Sequence, residues 1–407
     1  MEVRCMECGL EVAVGTFGRC AACGGILRPE YPDDAVARLA VLEPGPGIDR
    51  YRALLPTTTA LPTLGEGDTP LLPSRRLGHS LGLEHLYFKN EGRSPSGAFK
   101  DRAGAMMAAL ALGAGSAGLV TASSGNTATA AAAYCAAAGL HCVILLEPGN
   151  PPAKLRQALA TGATVVPVEG VFAHGPEGTQ DIILGVAGRL GYYPAFVWAP
   201  VNPYILEGIK TVSYEVAARL PGAPDVVVCP VGGGDMLTAQ WRGWLELRRA
   251  GVVDRVPRMI GVQSVSAPPL LEAFRAGTRR VAPLSYARSR ISGINVPFTG
   301  EHALAAVRES GGVVAGIDDA DAFAMQARLG AEEGVWIEPA SAAPVAALSQ
   351  LLCDGCVGAE ETVVCLLSGA GFKDALLAAE EAQAVSDRAP VPFDVEAVVA
   401  AVGRTAA

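Results

Sequence analysis

The sequence predicts an α/β protein, with parallel sheets covered on both faces by helices and a small metal-organised module in front. Three observations predict it. Short β-branched strands recur at HLYFKNE (85–91), GLVTAS (118–123), HCVILLE (141–147), TVVPVEG (164–170), DVVVCPV (225–231), RMIGVQS (258–264) and TVVCLLS (362–368). Helical segments such as DRAGAMMAALALG (101–113) and PAKLRQALATG (152–162) lie between most of them. Four cysteines fall in two close pairs within the first 25 residues. Strands rich in Val, Ile and Leu, joined by helical crossovers, belong to parallel sheets buried on both faces.

The cysteines read C-x2-C, eleven residues, C-x2-C: Cys5 and Cys8, then Cys20 and Cys23. Each pair can grip one side of a tetrahedral ion, so residues 1–30 are expected to form a zinc ribbon. Gly9 and Gly24 follow the second cysteine of each pair, where a glycine permits a tight turn that aims backbone N–H groups at the thiolates. A ribbon this short has almost no core, and metal binding of on the order of 10–16 kcal/mol would supply its folding energy. Residues 1–30 carry three arginines and four glutamates, so no basic face is available for nucleic acid and a structural metal is expected.

The chain has 407 residues, half of them hydrophobic and 18% charged, with a formal net charge of -9. That is a globular composition with length for two or three domains, and its negative charge argues against nucleic-acid or anionic-membrane partners. The longest apolar tract, residues 130–146, is divided by Gly139 and His141 into a helix and a strand, so no membrane span is expected. No secretory signal is visible, and ten cysteines suit a reducing compartment; a soluble, cytoplasmic protein follows. Residues 31–65, rich in proline, are expected to wrap the outside, and the tail from 375 to be helical.

Three motifs mislead. GHSLG (78–82) matches a nucleophile-serine pattern around Ser80, but a helix-like segment precedes it and a strand follows. GAGSAG (113–118) matches a dinucleotide fingerprint in the wrong order, helix before strand. CDGC (353–356) is a single C-x2-C with no second pair beside it.

Three glycine-rich turns do have the right order, strand, turn, then helix or a further turn. TASSGNTATAAAAY (121–134) places hydroxyls and N–H groups at a helix N-terminus, where roughly +0.5 charge awaits an anion such as a carboxylate. VVVCPVGGGDMLTAQW (226–241) opens three glycines, whose backbone can approach a phosphate. TVVCLLSGAGFKD (362–374) delivers Ser368 into a turn. With Lys100 of SPSGAFKDR (94–102), these describe a carbonyl cofactor held by a lysine Schiff base, its phosphate on a glycine turn and its ring nitrogen facing a hydroxyl.

NEGRSPSGAFKDR, SSGNTA, NPYILEGIKTVSYEV, PVGGG, EPASAA and SGAGFKD resemble, in order, the motifs of threonine synthase and its relatives, the fold-type-II pyridoxal-phosphate enzymes. The resemblance runs from about residue 64 to 375, and some members carry a similar ribbon. It implies a tryptophan synthase β-like architecture of two three-layer domains, 31–104 with 206–407 and 105–205, behind the ribbon. It implies that Lys100 holds pyridoxal 5'-phosphate and then takes the α-proton, helped by desolvation from Ala98 and Phe99. Asn126 would bond the cofactor's phenolic oxygen. Gly232, Gly233 and Gly234 would cradle its phosphate, and Ser368 would face its ring nitrogen, a neutral hydroxyl that tempers the electron sink. Ser124, Gly125 and Thr127 would bind the substrate carboxylate. The implied reaction converts O-phospho-L-homoserine and water to L-threonine and phosphate, in a homodimer.

Ser96, Ala98 and Ala370 stand where family members commonly have threonine, serine and histidine, and Asp235 follows the cradle where it would repel a phosphate unless turned away. These departures fit a paralogue acting on another activated amino acid such as O-phosphoserine (cysteate synthase-like) or a threonine dehydratase-like eliminase; the alternative of another class is a non-catalytic zinc-ribbon scaffold. Lys154 and Arg156 are candidates for the departing phosphate by sequence proximity alone.

Overall fold

A computed structural model describes residues 1–41, 47–148, 152–374, 390–392 and 394–405. Thirteen strands form three sheets among them. β1 (Glu2–Cys5), β2 (Glu11–Val12) and β3 (Leu27–Glu30) make an antiparallel ribbon in the order β2-β1-β3. β6 (Gly118–Ala122), β7 (His141–Leu146), β8 (Thr164–Pro167) and β9 (Tyr193–Pro194) make a wholly parallel sheet in the order β8-β7-β6-β9.

The largest sheet joins β4 (Leu71–Pro73), β5 (His85–Asn90), β10 (Val226–Pro230), β11 (Arg258–Ser264), β12 (Val314–Ile317) and β13 (Thr362–Leu367), in the order β12-β11-β10-β13-β5-β4. Only the edge strand β4 runs antiparallel. All seven sequence-predicted strands are present. β4, β9 and β12 were not foreseen, being four residues or fewer, two of them with a proline and one with a glycine.

The central strands are apolar on both faces: β10 and β6 are buried at every position, as strands covered by helices on each side must be. Burial of each Val or Leu there contributes about 1.5–3 kcal/mol. Helix Lys100–Gly113 packs on helix Asn126–Ala138 so closely that a Cβ on Gly104 would stand 2.6 Å from the Tyr134 ring. The wrapping segment buries Tyr31, Val36, Ile48, Tyr51, Leu54 and Leu61 in the same core.

Residues 1–374 form one compact unit and residues 375–407 another, whose described part is helix Val395–Thr405. Among the described residues no helix is long and apolar enough to cross a membrane. Ser80 lies inside the short helix Leu77–Leu81 with its hydroxyl donated to the Leu77 carbonyl, so GHSLG is no nucleophile elbow. Gly113 ends a helix and Gly118 begins β6, as the order of elements required.

The topology positions the chemistry. β10, β13 and β5 are adjacent and parallel, so the turns that leave their C-terminal ends emerge side by side. Those turns lead to Gly232, Ser368 and Lys100, at the edge where open α/β sheets bind ligands.

Candidate active site

Lys100 opens helix Lys100–Gly113 after a turn in which Gly97 has φ of +87°. That conformation excludes most side chains, and a Cβ there would also meet the Phe372 ring at 2.7 Å. The turn is stitched to the one that follows β13. Phe99 N–H donates to Ser368 O (2.9 Å), and Ala370 N–H donates to Gly97 O (2.8 Å). Ser96 and Ala98, two of the positions that depart from the family pattern, are 3% and 0% exposed beneath this seam. The Lys100 side chain is half-buried, with Nζ 4.8 Å from the Phe99 ring centroid. Burial lowers its pKa, with the Asp235 carboxylate opposing, the direction that desolvation was expected to give.

Beneath Lys100 lies a set of charges with no solvent exposure. Arg102 donates Nε and Nη2 to Glu91 (2.8 and 2.9 Å) and Nη1 and Nη2 to Glu215 (2.6 and 2.7 Å), while Lys89 donates to Glu215 (2.6 Å). Burial pushes the Glu215 carboxyl up, but Arg102 and Lys89 outweigh it and hold it well below the usual carboxylate range. Asp101 accepts Ser96 N–H at 2.7 Å, and burial raises its pKa to about 6. Lys373, also buried, ties the Ser96 carbonyl (2.7 Å) to Thr129 (2.9 Å) and Gln157 (2.9 Å), linking the Lys100 turn to helices beside the smaller sheet.

Gly232, Gly233 and Gly234 form a cradle whose carbonyls are taken from one side. Thr299 Oγ1 donates to Gly232 O (2.7 Å) and Gly300 N–H to Gly233 O (3.3 Å). Among the described residues the N–H groups of the three glycines reach no acceptor. Added Cβ atoms would stand 3.1 Å from Val296 at Gly232 and 3.2 Å from Trp198 at Gly233, a tight fit, while at Gly234 the 2.5 Å approach to Ala303 and φ of +95° require glycine. Unsatisfied donors on a close-packed glycine turn at the start of helix Asp235–Arg249 fit a phosphate. Asp235 Oδ1 accepts Ala199 N–H (2.9 Å) and lies 3.4 Å from His302 Nε2. The carboxylate that threatened to repel a phosphate is thus held by a hydrogen bond from the Ala199 amide. Trp198 Nε1 is buried beside the cradle with no acceptor among the described residues.

Ser124, Gly125 and Thr127 sit half-buried around the start of helix Asn126–Ala138, which has no side-chain cap. Gly125 N–H is spent on Ser123 Oγ (3.1 Å). Asn126 and Ser368 are joined through a residue to which the sequence reading gave no role, Glu338 of EPASAA. Its carboxylate, on a residue 2% exposed, accepts Asn126 Nδ2 (3.0 and 3.1 Å) and Ser368 Oγ (3.1 Å). The Lys154 side chain lies outside the described residues, and Arg156 is exposed.

The four ribbon thiols lie within 4.8 Å of one another, with Cys5 and Cys23 3.4 Å apart and Cys8 and Cys20 3.8 Å apart. Tetrahedral zinc with bonds near 2.3 Å needs sulfurs about 3.8 Å apart, so the set fits the ion. Gly9 and Gly24 have φ of +71° and +74°, as tight turns require, but their N–H groups bond Cys5 O and Cys20 O. Sulfur instead receives Glu7 N–H on Cys5 and Gly25 N–H on Cys23, both at 3.4 Å, besides backbone donors on Cys20. Backbone donors from Ala22 and Cys23 lower the Cys20 thiol to about 7, while against the Gly25 donor hydrogen bonds with the Cys5 and Cys8 thiols push the Cys23 thiol up to about 12, so without an ion the four sulfurs share protons that a metal would displace.

A lysine of lowered basicity and a glycine turn with unsatisfied donors fit a pyridoxal-phosphate site, and the family model "Pyridoxal-phosphate dependent enzyme" matches residues 62–369. A curated threonine synthase of Methanosarcina acetivorans is 35% identical over 91% of this chain and 92% of its own length. One of Synechocystis is 38% identical over 80% and 83%. The solved structure of maize serine racemase superposes with a TM-score of 0.68 at 20% identity, over 88% of this chain and 98% of that one, which shows the shared fold. The chain belongs to the threonine synthase family of pyridoxal-phosphate dependent enzymes.

Proposed function

We propose that this chain is a threonine synthase, converting O-phospho-L-homoserine and water to L-threonine and phosphate. The observation that carries the reading is the half-buried Lys100 amine, stitched to the Ser368 turn, in a chain 34–38% identical to several threonine synthases over most of its length. Pyridoxal phosphate, when bound, supplies a carbonyl to which amines attach and a ring that spreads the electrons left by a departing α-proton.

The chain's own residues do the rest. Lys100, its ammonium form disfavoured by burial, carries the cofactor and then accepts the α-proton at Nζ. Gly232, Gly233 and Gly234 offer their N–H groups to the cofactor phosphate, and Asn126 and Ser368 face its ring. Ser124, Gly125 and Thr127 receive the substrate carboxylate at the start of helix Asn126–Ala138. Cys5, Cys8, Cys20 and Cys23 hold a structural zinc. The working division is 1–30, 31–104 with 206–407, and 105–205; it follows the three sheets, whose strands fall within 2–30, 71–90 with 226–367, and 118–194. A cytoplasmic homodimer rests on the family resemblance and on ten cysteines without a disulfide.

The test is phosphate release from O-phosphohomoserine against O-phosphoserine by the reconstituted enzyme. Release from the first, with threonine formed, supports the reading. Release from the second alone assigns a paralogue, and 2-oxobutanoate in place of threonine assigns an eliminase.

A further inference from the structure

Two buried side chains beside the glycine cradle have no hydrogen-bond partner among the described residues: Trp198 at Nε1 and His302 at both ring nitrogens. A histidine nitrogen can give or accept a proton, and His302 Nε2 lies 3.4 Å from Asp235 Oδ1. The indole is less ambiguous, because its N–H can only donate. A donor buried without an acceptor is costly, and in a native fold it calls for a specific explanation.

The indole is held in place. The Trp198 carbonyl accepts Val201 N–H and Asn202 N–H (both 2.9 Å), and its backbone N–H donates to Phe196 O (3.1 Å). The ring packs edge-on to Phe298 with centroids 5.1 Å apart. Gly18 N–H of the ribbon donates to Val201 O (2.8 Å), which fastens the same loop to residues 1–30.

The edge that carries Nε1 faces the cradle. From the position a Cβ would take on Gly233, Trp198 Cδ1 is 3.2 Å away and Nε1 3.7 Å. Asp235 Oδ2 borders the same point at 3.3 Å but makes no hydrogen bond to the indole. The N–H groups of Gly232, Gly233 and Gly234 also reach no acceptor among the described residues. Three backbone donors and one side-chain donor from a separate loop thus lie together at the start of helix Asp235–Arg249, where an anion is favoured.

We propose that Trp198 is a fourth donor to the cofactor's phosphate, its Nε1–H given to a phosphate oxygen. The inference rests on the reading above. It makes the cradle select the phosphorylated form of the cofactor, and it ties the loop after β9 of the smaller sheet to the turn after β10 of the larger one. The indole is uncharged, so the contact does not depend on the protonation state of that side chain.

The experiment loads the full chain with pyridoxal 5'-phosphate or with pyridoxal, which offers the same aldehyde without the phosphate, and follows uptake by absorbance. Trp198→Phe keeps an aromatic ring and removes the donor. It is expected to weaken uptake of pyridoxal phosphate by about ten- to a hundredfold, the scale of a hydrogen bond to a charged group, and to leave pyridoxal uptake unchanged. Equal weakening of both shows lost packing, and no weakening shows no contact; either overturns the proposal. Wild-type protein labelled with 15N-tryptophan supplies a readout that needs no variant. One of its four indole N–H signals is expected to move downfield with pyridoxal phosphate and to stay in place with pyridoxal. The absence of any such difference overturns the proposal as well. Failure of wild-type protein to take up pyridoxal phosphate sinks the functional reading and this inference together, whereas uptake without discrimination sinks this inference alone.

Discussion

The ribbon and the Lys100 turn each fix reactive groups within a few ångströms, by opposite means. The ribbon buries few residues, Val3, Cys5, Cys20 and Leu27 with Tyr204 of the main body, and its four thiols face an interior the size of one ion. The Lys100 turn needs no ion. It is clamped by backbone bonds to the Ser368 turn and underpinned by Arg102, Glu91, Glu215 and Lys89, all without exposure. A module too small to bury a core draws stability from metal coordination, whereas a large one can bury charges, provided each is paired. The first should fail when the ion is removed, the second when one charge of the set is lost.

The largest effect is expected from stripping zinc. Removing a contribution of on the order of 10 kcal/mol should unfold residues 1–30 as a unit. Hydrogen exchange should rise across β1 to β3 and stay slow in helix Lys100–Gly113; equal loss in both regions would erase the contrast. Next is Arg102→Met, which leaves Glu91 and Glu215 buried with only Lys89 to compensate. Denaturant unfolding should show a loss of about 3–5 kcal/mol, the scale for breaking a buried pair from one side.

A smaller effect concerns Lys100 in cofactor-free protein. Its folded pKa is lowered, so the unfolded state binds the extra proton between that value and 10.5, and stability should rise with pH across the window. Lys100→Met removes the cost of burying the ammonium. The variant should exceed wild type in stability at neutral pH, with the gap closing as pH rises toward 10.5; a gap independent of pH would contradict the assignment. The smallest is Arg19→Ala, which cuts the partly exposed pair of the ribbon with Glu301 (3.0 Å). Thermal unfolding should change by roughly 1 kcal/mol or less.

Much of this was legible in the sequence because it is local. Spacing alone placed the four thiols, β-branched runs gave seven strands, and the order of strand, turn and helix separated working glycine turns from GHSLG and GAGSAG. What stayed hidden is carried by contacts between distant residues. Glu338 lies 212 positions from Asn126 and 30 from Ser368, and nothing in EPASAA says which side chains it joins. Trp198 reaches the cradle from a loop without a motif. Arg102, Glu91 and Glu215 were visible within motifs, but only the fold shows that they neutralise one another. The ribbon donors were misplaced because each knuckle glycine spends its N–H on a carbonyl, leaving Glu7 and Gly25 to face sulfur.

The most direct test of the account is where the cofactor attaches. Holoenzyme reduced with borohydride and digested should carry the phosphopyridoxyl label on the peptide containing Lys100, with none on Lys89, Lys210 or Lys373. Label on another lysine, or a reduced protein that retains no cofactor, would contradict it.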